Sequence, residues 1–173
     1  MENFSNSVLL PESLPEVLQE DFNRLNSNYL KIIYIRIAII TLLLGGGLIA
    51  FLTFSDEEIP YLMLAAIIAV PAVLIVYSVI ISNLGFPKKG YLLREKDISY
   101  KRGLIFYKQI SVTFNRVQHV EVSQGILAKM FGLSSVKIFT AGGSASDLSI
   151  PGLLTGDAQK LKAFISEKIS RYE

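Results

Sequence analysis

Two long stretches of this chain carry no charged side chain, and they restrict its fold more than any other feature. Residues 37–55 and 59–87 contain no Asp, Glu, Lys or Arg, whereas the other 125 residues carry all 32 of these side chains. That remainder has the charge density of an ordinary soluble domain. A uniformly water-soluble globule is therefore excluded. Because the chain has no cysteine, a disulfide scaffold, a thiolate-bound metal and a thiol nucleophile are excluded too.

The two uncharged stretches predict a membrane-spanning α-helical hairpin over residues 31–87. Apolar spans run over about 32–54 and 59–82, and a helix of that size is about 35 Å long, enough to cross a hydrocarbon core of about 30 Å. Buried helices of a soluble bundle are the alternative, but such helices rarely extend so far without a charge. The short acidic connection Ser55–Glu58 makes the two helices antiparallel.

The Lys and Arg residues around the hairpin predict its orientation. Lys31 and Arg36 flank the first span and Lys88 and Lys89 follow the second, whereas the connection between the spans has no basic residue. Basic residues that flank membrane spans remain on the cytoplasmic side. We therefore expect a multi-pass protein with both termini in the cytoplasm.

Small residues within the hairpin predict how the two helices pack. Gly46 with Ala50 and Ala65 with Ala69 are pairs four residues apart, a spacing that allows close contact between helices. A transport path would need ionisable groups near the middle of the membrane, and only Arg36, near one end, is charged. The pattern favours an anchor over a channel or a transporter.

The N-terminal segment, residues 1–30, predicts a short amphipathic helix over about 13–26. Ser13 and Glu16 form a capping box, and an apolar stripe follows. The stripe consists of Leu14, Val17, Leu18, Phe22 and Leu25. Its polar face is acidic, which is unfavourable at a membrane surface. We expect the helix to pack on the protein's own basic domain or on a partner.

Residues 88–173 predict one small α+β domain with a net charge of +7. Runs of β-branched and aromatic residues predict strands, including a long one over Leu104–Phe114 and an alternating one over Val117–Val122. The alternation places Gln118, Val120 and Val122 on one face and Val117, His119 and Glu121 on the other. The chain ends in an amphipathic helix that Thr155 is expected to cap. This order predicts a small bent β-sheet or barrel capped by a C-terminal helix.

Four segments of this domain resemble the bacterial pleckstrin-homology (PH) domain family, formerly a domain of unknown function. They are Phe114–Gly125, Phe131–Leu133, Thr140–Gly143 and Ile150–Leu153. The similarity covers about residues 30–173, and the YdbS-like members of the family carry this domain after a two-span hairpin. The resemblance implies a PH-like domain anchored in a bacterial inner membrane, with no established active site. Phe114 stands where many members have proline, which predicts a looser start of the strand that follows.

The chain shows no residue pattern that predicts catalysis, a metal or a cofactor. His119 is the only histidine, and a triad with Ser123 or Ser144 and Asp147 has no nucleophile-elbow motif to support it. His119 is better explained as an outward strand residue, and the carboxylates are too scattered for a metal site. The basic residues are not interleaved with aromatics as in nucleic-acid-binding modules. We expect no enzyme, no nucleic-acid ligand and no small-molecule substrate.

Two kinds of function remain. The first is a scaffold that docks a membrane-protein partner or self-associates, with contact residues Arg116, Gln118, His119, Glu121 and Gln124. The second is binding or sensing of anionic lipid, since each basic residue near an anionic leaflet contributes about 1 kcal/mol. Its contact residues would be Lys88, Lys89, Arg94, Lys96, Lys101 and Arg102. A subunit of an export or envelope-stress resistance system is a further alternative.

Overall fold

Two long helices and a two-sheet domain make up the part of the chain that the computed structural model describes, residues 21–54, 60–142 and 147–170. The elements before and within the hairpin are β1 (Asn23–Arg24), α1 (Asn28–Phe54) and α2 (Tyr61–Gly85). Those that follow are β2 (Gly90–Leu93), β3 (Asp97–Arg102), β4 (Lys108–Thr113), β5 (Val117–Ser123), α3 (Ile126–Met130), β6 (Leu133–Thr140), β7 (Leu148–Leu154) and α4 (Thr155–Ile169). The predicted connection between the helices lies outside the described residues.

The long helices are apolar on all sides and are long enough to cross a membrane. They contain 27 and 25 residues, and no residue of the most apolar stretch of either helix is buried. A core helix of a soluble bundle would be covered by protein, so that alternative is rejected. The predicted spans therefore correspond to two helices that expose their apolar side chains, as lipid-facing helices do.

The contact between the helices uses other small residues than those predicted. The half-buried residues Thr41, Gly45 and Leu48 of α1 and Ile67 and Pro71 of α2 line a cavity between the two helices. The predicted pairs, Gly46 with Ala50 and Ala65 with Ala69, are all exposed, so the prediction of their contact was wrong. Thr41, Gly45 and Leu48 are four and three residues apart, so they lie on one face of α1. Gly46, the residue after Gly45, points about 100° away from that face.

The domain consists of two antiparallel sheets that enclose one core with α4. The first sheet has the order β1-β2-β3-β4 and the second the order β5-β6-β7. In the described part of the chain the two sheets do not close into a barrel, so the bent-sheet form of the prediction is the one observed. The core residues come from both sheets and from α4. They include Ile98, Tyr100, Val112, Val136, Ile138, Ile150, Ala158, Leu161 and Ile165.

A β-bulge changes the faces that were predicted for β5. Val117 pairs with Thr140 and His119 with Phe139, so Gln118 is the extra residue. Val117 and Val120 are consequently both buried, whereas Gln118, His119 and Glu121 are exposed. The strict alternation predicted for Val117–Val122 was wrong, because a bulge places two successive residues opposite one partner and shifts the side-chain faces.

The first described strand comes from before the hairpin. Asn23 pairs with Tyr91 and Arg24 with Gly90, so β1 and β2 are neighbours although α1 and α2 separate them along the chain. Residues 21–26 are therefore not part of the helix predicted over about 13–26, whose earlier residues lie outside the described part. Leu25 is buried in the domain core. The domain thus includes residues on both sides of the hairpin.

Thr155 does not cap α4 as predicted. The first turn of α4 has no side-chain cap. The Thr155 hydroxyl donates instead to the carbonyl oxygen of Gly132 at 3.0 Å and accepts from Gln124 Nε2 at 3.0 Å. It also lies 3.0 Å from the buried Ser134 hydroxyl. The Thr155 side chain therefore links the start of α4 to Gly132 and to Ser134 of β6, and it does not cap the N-terminus of α4.

Candidate functional site

The strand order defines which end of the domain lies next to the hairpin. β1 leads into α1 and β2 follows α2, and the pair Arg24–Gly90 is at the end from which both helices leave. We call this the membrane end. β2 runs away from the membrane end, so the turn between β2 and β3 lies at the opposite end of the sheet. β3 is antiparallel to β2 and runs back to the membrane end.

Both helices are attached to the domain at the membrane end. The backbone N–H of Asn26 donates to the carbonyl oxygen of Gly152 at 3.0 Å, and the Tyr29 ring lies directly against Gly152. At the other helix, Gly85 packs against Leu104. Two strands and two packing contacts therefore fix the hairpin to the domain, which limits how far the domain can turn.

One polar pair links the two helices near this end. The Tyr34 hydroxyl donates to Asn83 Oδ1 at 2.5 Å. Tyrosine is enriched at the boundary between hydrocarbon and headgroups. Tyr34 is two residues before Arg36, about 3 Å along the helix axis, at the level where the apolar stretch of α1 begins.

The six predicted lipid-contact residues do not form one patch. Lys88, Lys89, Lys101 and Arg102 lie at the membrane end, since Gly90 pairs with Lys101. Arg94 and Lys96 lie in the turn between β2 and β3, at the opposite end. The prediction treated them together because they are close in sequence, whereas the strand β2 separates them by about 13 Å.

The basic residues also differ in how accessible they are. Burial and the nearby Arg102 guanidinium lower the pKa of Lys89 below its usual value. The Lys101 ammonium lies 3.9 Å from the centroid of the Phe22 ring, a cation–π contact. Arg94 Nε lies 3.2 Å from Asp97 Oδ1. Lys88 and Arg102 are exposed, so they are the residues of this set best placed to meet a lipid headgroup.

Three of the five predicted partner-contact residues share one surface: Gln118, His119 and Glu121 are exposed along β5. Arg116, in the turn before β5, is exposed too, but it lines a cavity with residues of β4. The His119 ring stacks on Phe139 of β6 with centroids 4.2 Å apart and planes 12° apart, and Glu121 is opposite Lys137. We call this surface the β5–β6 face. Gln124 is not part of it, because its Nε2 donates to the Leu133 carbonyl oxygen at 2.8 Å and to Thr155.

Sequence reasoning missed a set of exposed apolar side chains at the membrane end. Residues 104–107 were predicted as strand, but they form the loop between β3 and β4, where Phe106 is 87% exposed. The available signal was Gly103 followed by four large apolar residues without alternation. In α3, Ile126 is 85% exposed and Met130 is 73% exposed.

Two of the groups considered for catalysis, Asp147 and His119, make contacts with neighbouring residues of the domain. Asp147 Oδ1 accepts a hydrogen bond from the Thr140 backbone at 3.1 Å, and His119 is engaged with Phe139. Ser144 lies outside the described residues. Burial and the neighbouring Tyr29 raise the pKa of the core residue Tyr100 to about 12, so its hydroxyl stays neutral. Within the described ranges no three His, Asp or Glu side chains are close enough to hold a metal ion.

Two exposed apolar helices that lead into a two-sheet domain with a C-terminal helix define a membrane protein with a PH-like domain. The sequence model of the family described as "Bacterial PH domain" matches residues 29–169. The chain therefore belongs to the bacterial PH domain family, as the four segments in the domain predicted.

A curated relative supports the same assignment. The chain is 40% identical over 76 residues to UPF0699 transmembrane protein YdbS from Bacillus subtilis (strain 168). The match covers 44% of this chain and 46% of that protein, so it spans about half the length of either. No solved structure matches the chain significantly.

Proposed function

We propose that this protein is a non-enzymatic interaction module, held at the cytoplasmic face of a bacterial membrane, that docks a protein partner or a second copy of itself. The observation that carries this proposal is the β5–β6 face. It combines a stacked aromatic pair, His119 with Phe139, and the cross-strand charges of Glu121 and Lys137. Aromatic residues surrounded by polar side chains are typical of the centre and rim of protein interfaces.

The attachment of the domain to both helices supports this role. β1 and β2 join the domain to the two ends of the hairpin, so the β5–β6 face has a fixed orientation relative to the membrane. A surface held in this way loses less orientational freedom when it binds a neighbouring membrane protein. The basic residues that flank the hairpin support placing both termini in the cytoplasm.

Crosslinking from single cysteines tests the docking surface. Because the chain has no cysteine, Gln118→Cys places a unique thiol on the β5–β6 face, and Ala163→Cys places one on the exposed side of α4 as a control. In native membranes a thiol-to-amine crosslinker is expected to give a discrete higher-mass adduct from Gln118→Cys. Ala163→Cys should give only the monomer.

The mass of the adduct distinguishes the two kinds of partner. An adduct of twice the mass of the chain indicates a second copy, and any other discrete mass indicates a different protein. Monomer alone from both variants, at equal labelling of the two thiols, would contradict docking through the β5–β6 face.

Anionic lipid headgroups are the second candidate ligand, because Lys88 and Arg102 are exposed at the membrane end. In nanodiscs that contain phosphatidylglycerol, acylation of Lys88 should be slower than in neutral nanodiscs, and high salt should remove the difference since it screens exposed charges. Lys96, at the opposite end, is the internal control and should react equally in both. Equal acylation of Lys88 in both nanodiscs would contradict this function.

A further inference from the structure

Three consecutive side chains of the loop between β3 and β4 are exposed and apolar. Ile105 and Tyr107 are each 61% exposed and Phe106 is 87% exposed. We call these three residues the loop patch. The turn before them is tight, because Gly103 has φ of 114° and a Cβ there would lie 1.9 Å from the Phe106 carbonyl oxygen. Gly103 therefore fixes the tight turn from which the loop patch starts.

The loop patch lies at the membrane end and beside α2. β3 runs towards this end, and the pair Arg102–Lys108 extends the β3–β4 hairpin one pair beyond Gly90, where β2 begins. Leu104, at the start of the loop, packs against Gly85, the last residue of α2. The tip of the hairpin thus projects past the rest of the sheet at the level where α2 leaves the domain.

A second apolar patch lies beside α1. The short helix α3 exposes Ile126 and Met130, which we call the helix patch. A cleft lined by Ile32, Arg36 and Ile126 lies between α3 and the first turns of α1. Arg36 is about 12 Å along the axis from Asn28, where α1 begins. The helix patch therefore lies beside the first turns of α1, at the level of Arg36, and not beyond the end of the helix.

The charges around both patches favour a lipid surface. The sequence has no Asp or Glu between Asp97 and Glu121, and none over residues 122–146. Lys101, Arg102 and Lys108 lie at the end of the β3–β4 hairpin that carries the loop patch. Lys129 is part of α3, and Arg36 lines the cleft beside it. Apolar side chains bordered by basic residues are the composition of elements that lie in a membrane interface.

We propose that the loop patch and the helix patch are inserted into the membrane leaflet next to the domain, one on each side of the hairpin. The occupant of both patches is the bilayer, at the boundary between headgroups and acyl chains. Since α1 and α2 cross the same bilayer, the two patches continue an interface that the helices begin. The contact is apolar and does not require anionic lipid, which separates it from the headgroup binding considered above.

Fluorescence quenching in nanodiscs tests this insertion with the full chain. Phe106→Cys, Ile126→Cys and Lys96→Cys each carry an NBD label, and the nanodiscs contain phosphatidylcholine with a nitroxide either near the headgroup or near the end of the acyl chain. We expect loss of emission for the labels at 106 and 126, greater for the shallow nitroxide, since interfacial groups enter only about 5–10 Å. The label at 96, on an exposed turn at the far end, should keep its emission.

Each other outcome overturns the proposal. Unquenched labels at 106 and 126 would show that the patches remain outside the lipid. Quenching that occurs only when phosphatidylglycerol is added would show that charge holds the domain and that the apolar contact does not. Equal quenching at 96 would show that the label itself partitions. Labels at 106 or 126 that transfer energy to a second labelled copy, without quenching by lipid, would show that another protein molecule covers the patches. The crosslinking result at Gln118 is independent of all of these.

Discussion

Gly152→Ala is expected to destabilise the protein by about 2–5 kcal/mol, the sum of a backbone term of about 1–2 kcal/mol and an overpacking term of about 1–3 kcal/mol. Gly152 has φ of 70°, a left-handed conformation that residues with a Cβ rarely adopt. A Cβ at this position would lie 2.7 Å from Tyr29 Cγ. Either the Tyr29 ring or the β7 backbone must move, and the base of α1 would separate from the domain. Chemical unfolding in detergent measures the loss.

Gly132→Ala is the matched control for this substitution. Gly132 has φ of 64°, but nothing lies within 4 Å of the position of its missing Cβ. It should therefore cost only the backbone term of about 1–2 kcal/mol. Combining Gly152→Ala with Tyr29→Ala should cost less than the sum of the two single losses, because the overpacking disappears when the Tyr29 ring is removed. Equal losses for the two glycine variants would show that the contact with Tyr29 does not matter.

Phe114→Ala is expected to cost about 3–5 kcal/mol, the usual range for a large aromatic side chain removed from a core. Phe114 is 1% exposed and meets the Phe164 ring of α4 edge-on, with centroids 6.1 Å apart. It lies at the corner between β4 and β5, so its removal leaves a cavity where the two sheets and α4 meet. The free energy of unfolding, from denaturant titration in detergent, measures the effect.

An exposed phenylalanine provides the comparison for this variant. Phe106→Ala removes the same atoms from a side chain that is 87% exposed, so it opens no cavity in the domain core and should cost clearly less than Phe114→Ala. If Phe114→Ala were as mild as Phe106→Ala, the corner would not be part of the core.

The hairpin and the family could be predicted from the sequence because their signals are long. A span needs about 20 apolar residues, and the family segments extend over most of the domain. β1 could not be predicted, since Asn23 and Arg24 have no strand pattern of their own and their partners, Tyr91 and Gly90, lie beyond the hairpin. The β5 bulge was missed for a related reason. Its position depends on pairing with β6, which the sequence of β5 alone does not specify.

The corner residue Phe114 shows how a local rule was overridden by packing. A loose strand start was expected where many members of the family have proline. The structure instead has a single 3₁₀ turn over Phe114–Arg116, in which the Phe114 N–H donates to the Lys96 carbonyl oxygen at 3.0 Å. Proline has no such N–H. Tertiary contacts, not intrinsic propensity, therefore fix this turn.

The candidate surfaces were predicted in part. The β5–β6 face contains exposed residues of β5, but the predicted alternation put Gln118 and His119 on opposite faces, whereas the bulge leaves both exposed. Gln124 follows that strand but hydrogen-bonds to residues of β6 and α4, and the basic residues are split between two ends of a sheet. Closeness along the chain does not decide which end of a strand a side chain occupies or which residues it hydrogen-bonds. The apolar patches were missed because exposure depends on tertiary structure.

The pairing of β1 with β2 orders the events by which this protein is made. A ribosome synthesises β1 before either helix, and β2 only after both, so the first sheet cannot be completed until the whole hairpin has been translated. Before that point Leu25 has no core to enter, because the strands that bury it do not yet exist. A completed first sheet therefore requires that both helices have been synthesised. A chain that is cut short within the hairpin lacks β2, the strand with which β1 pairs.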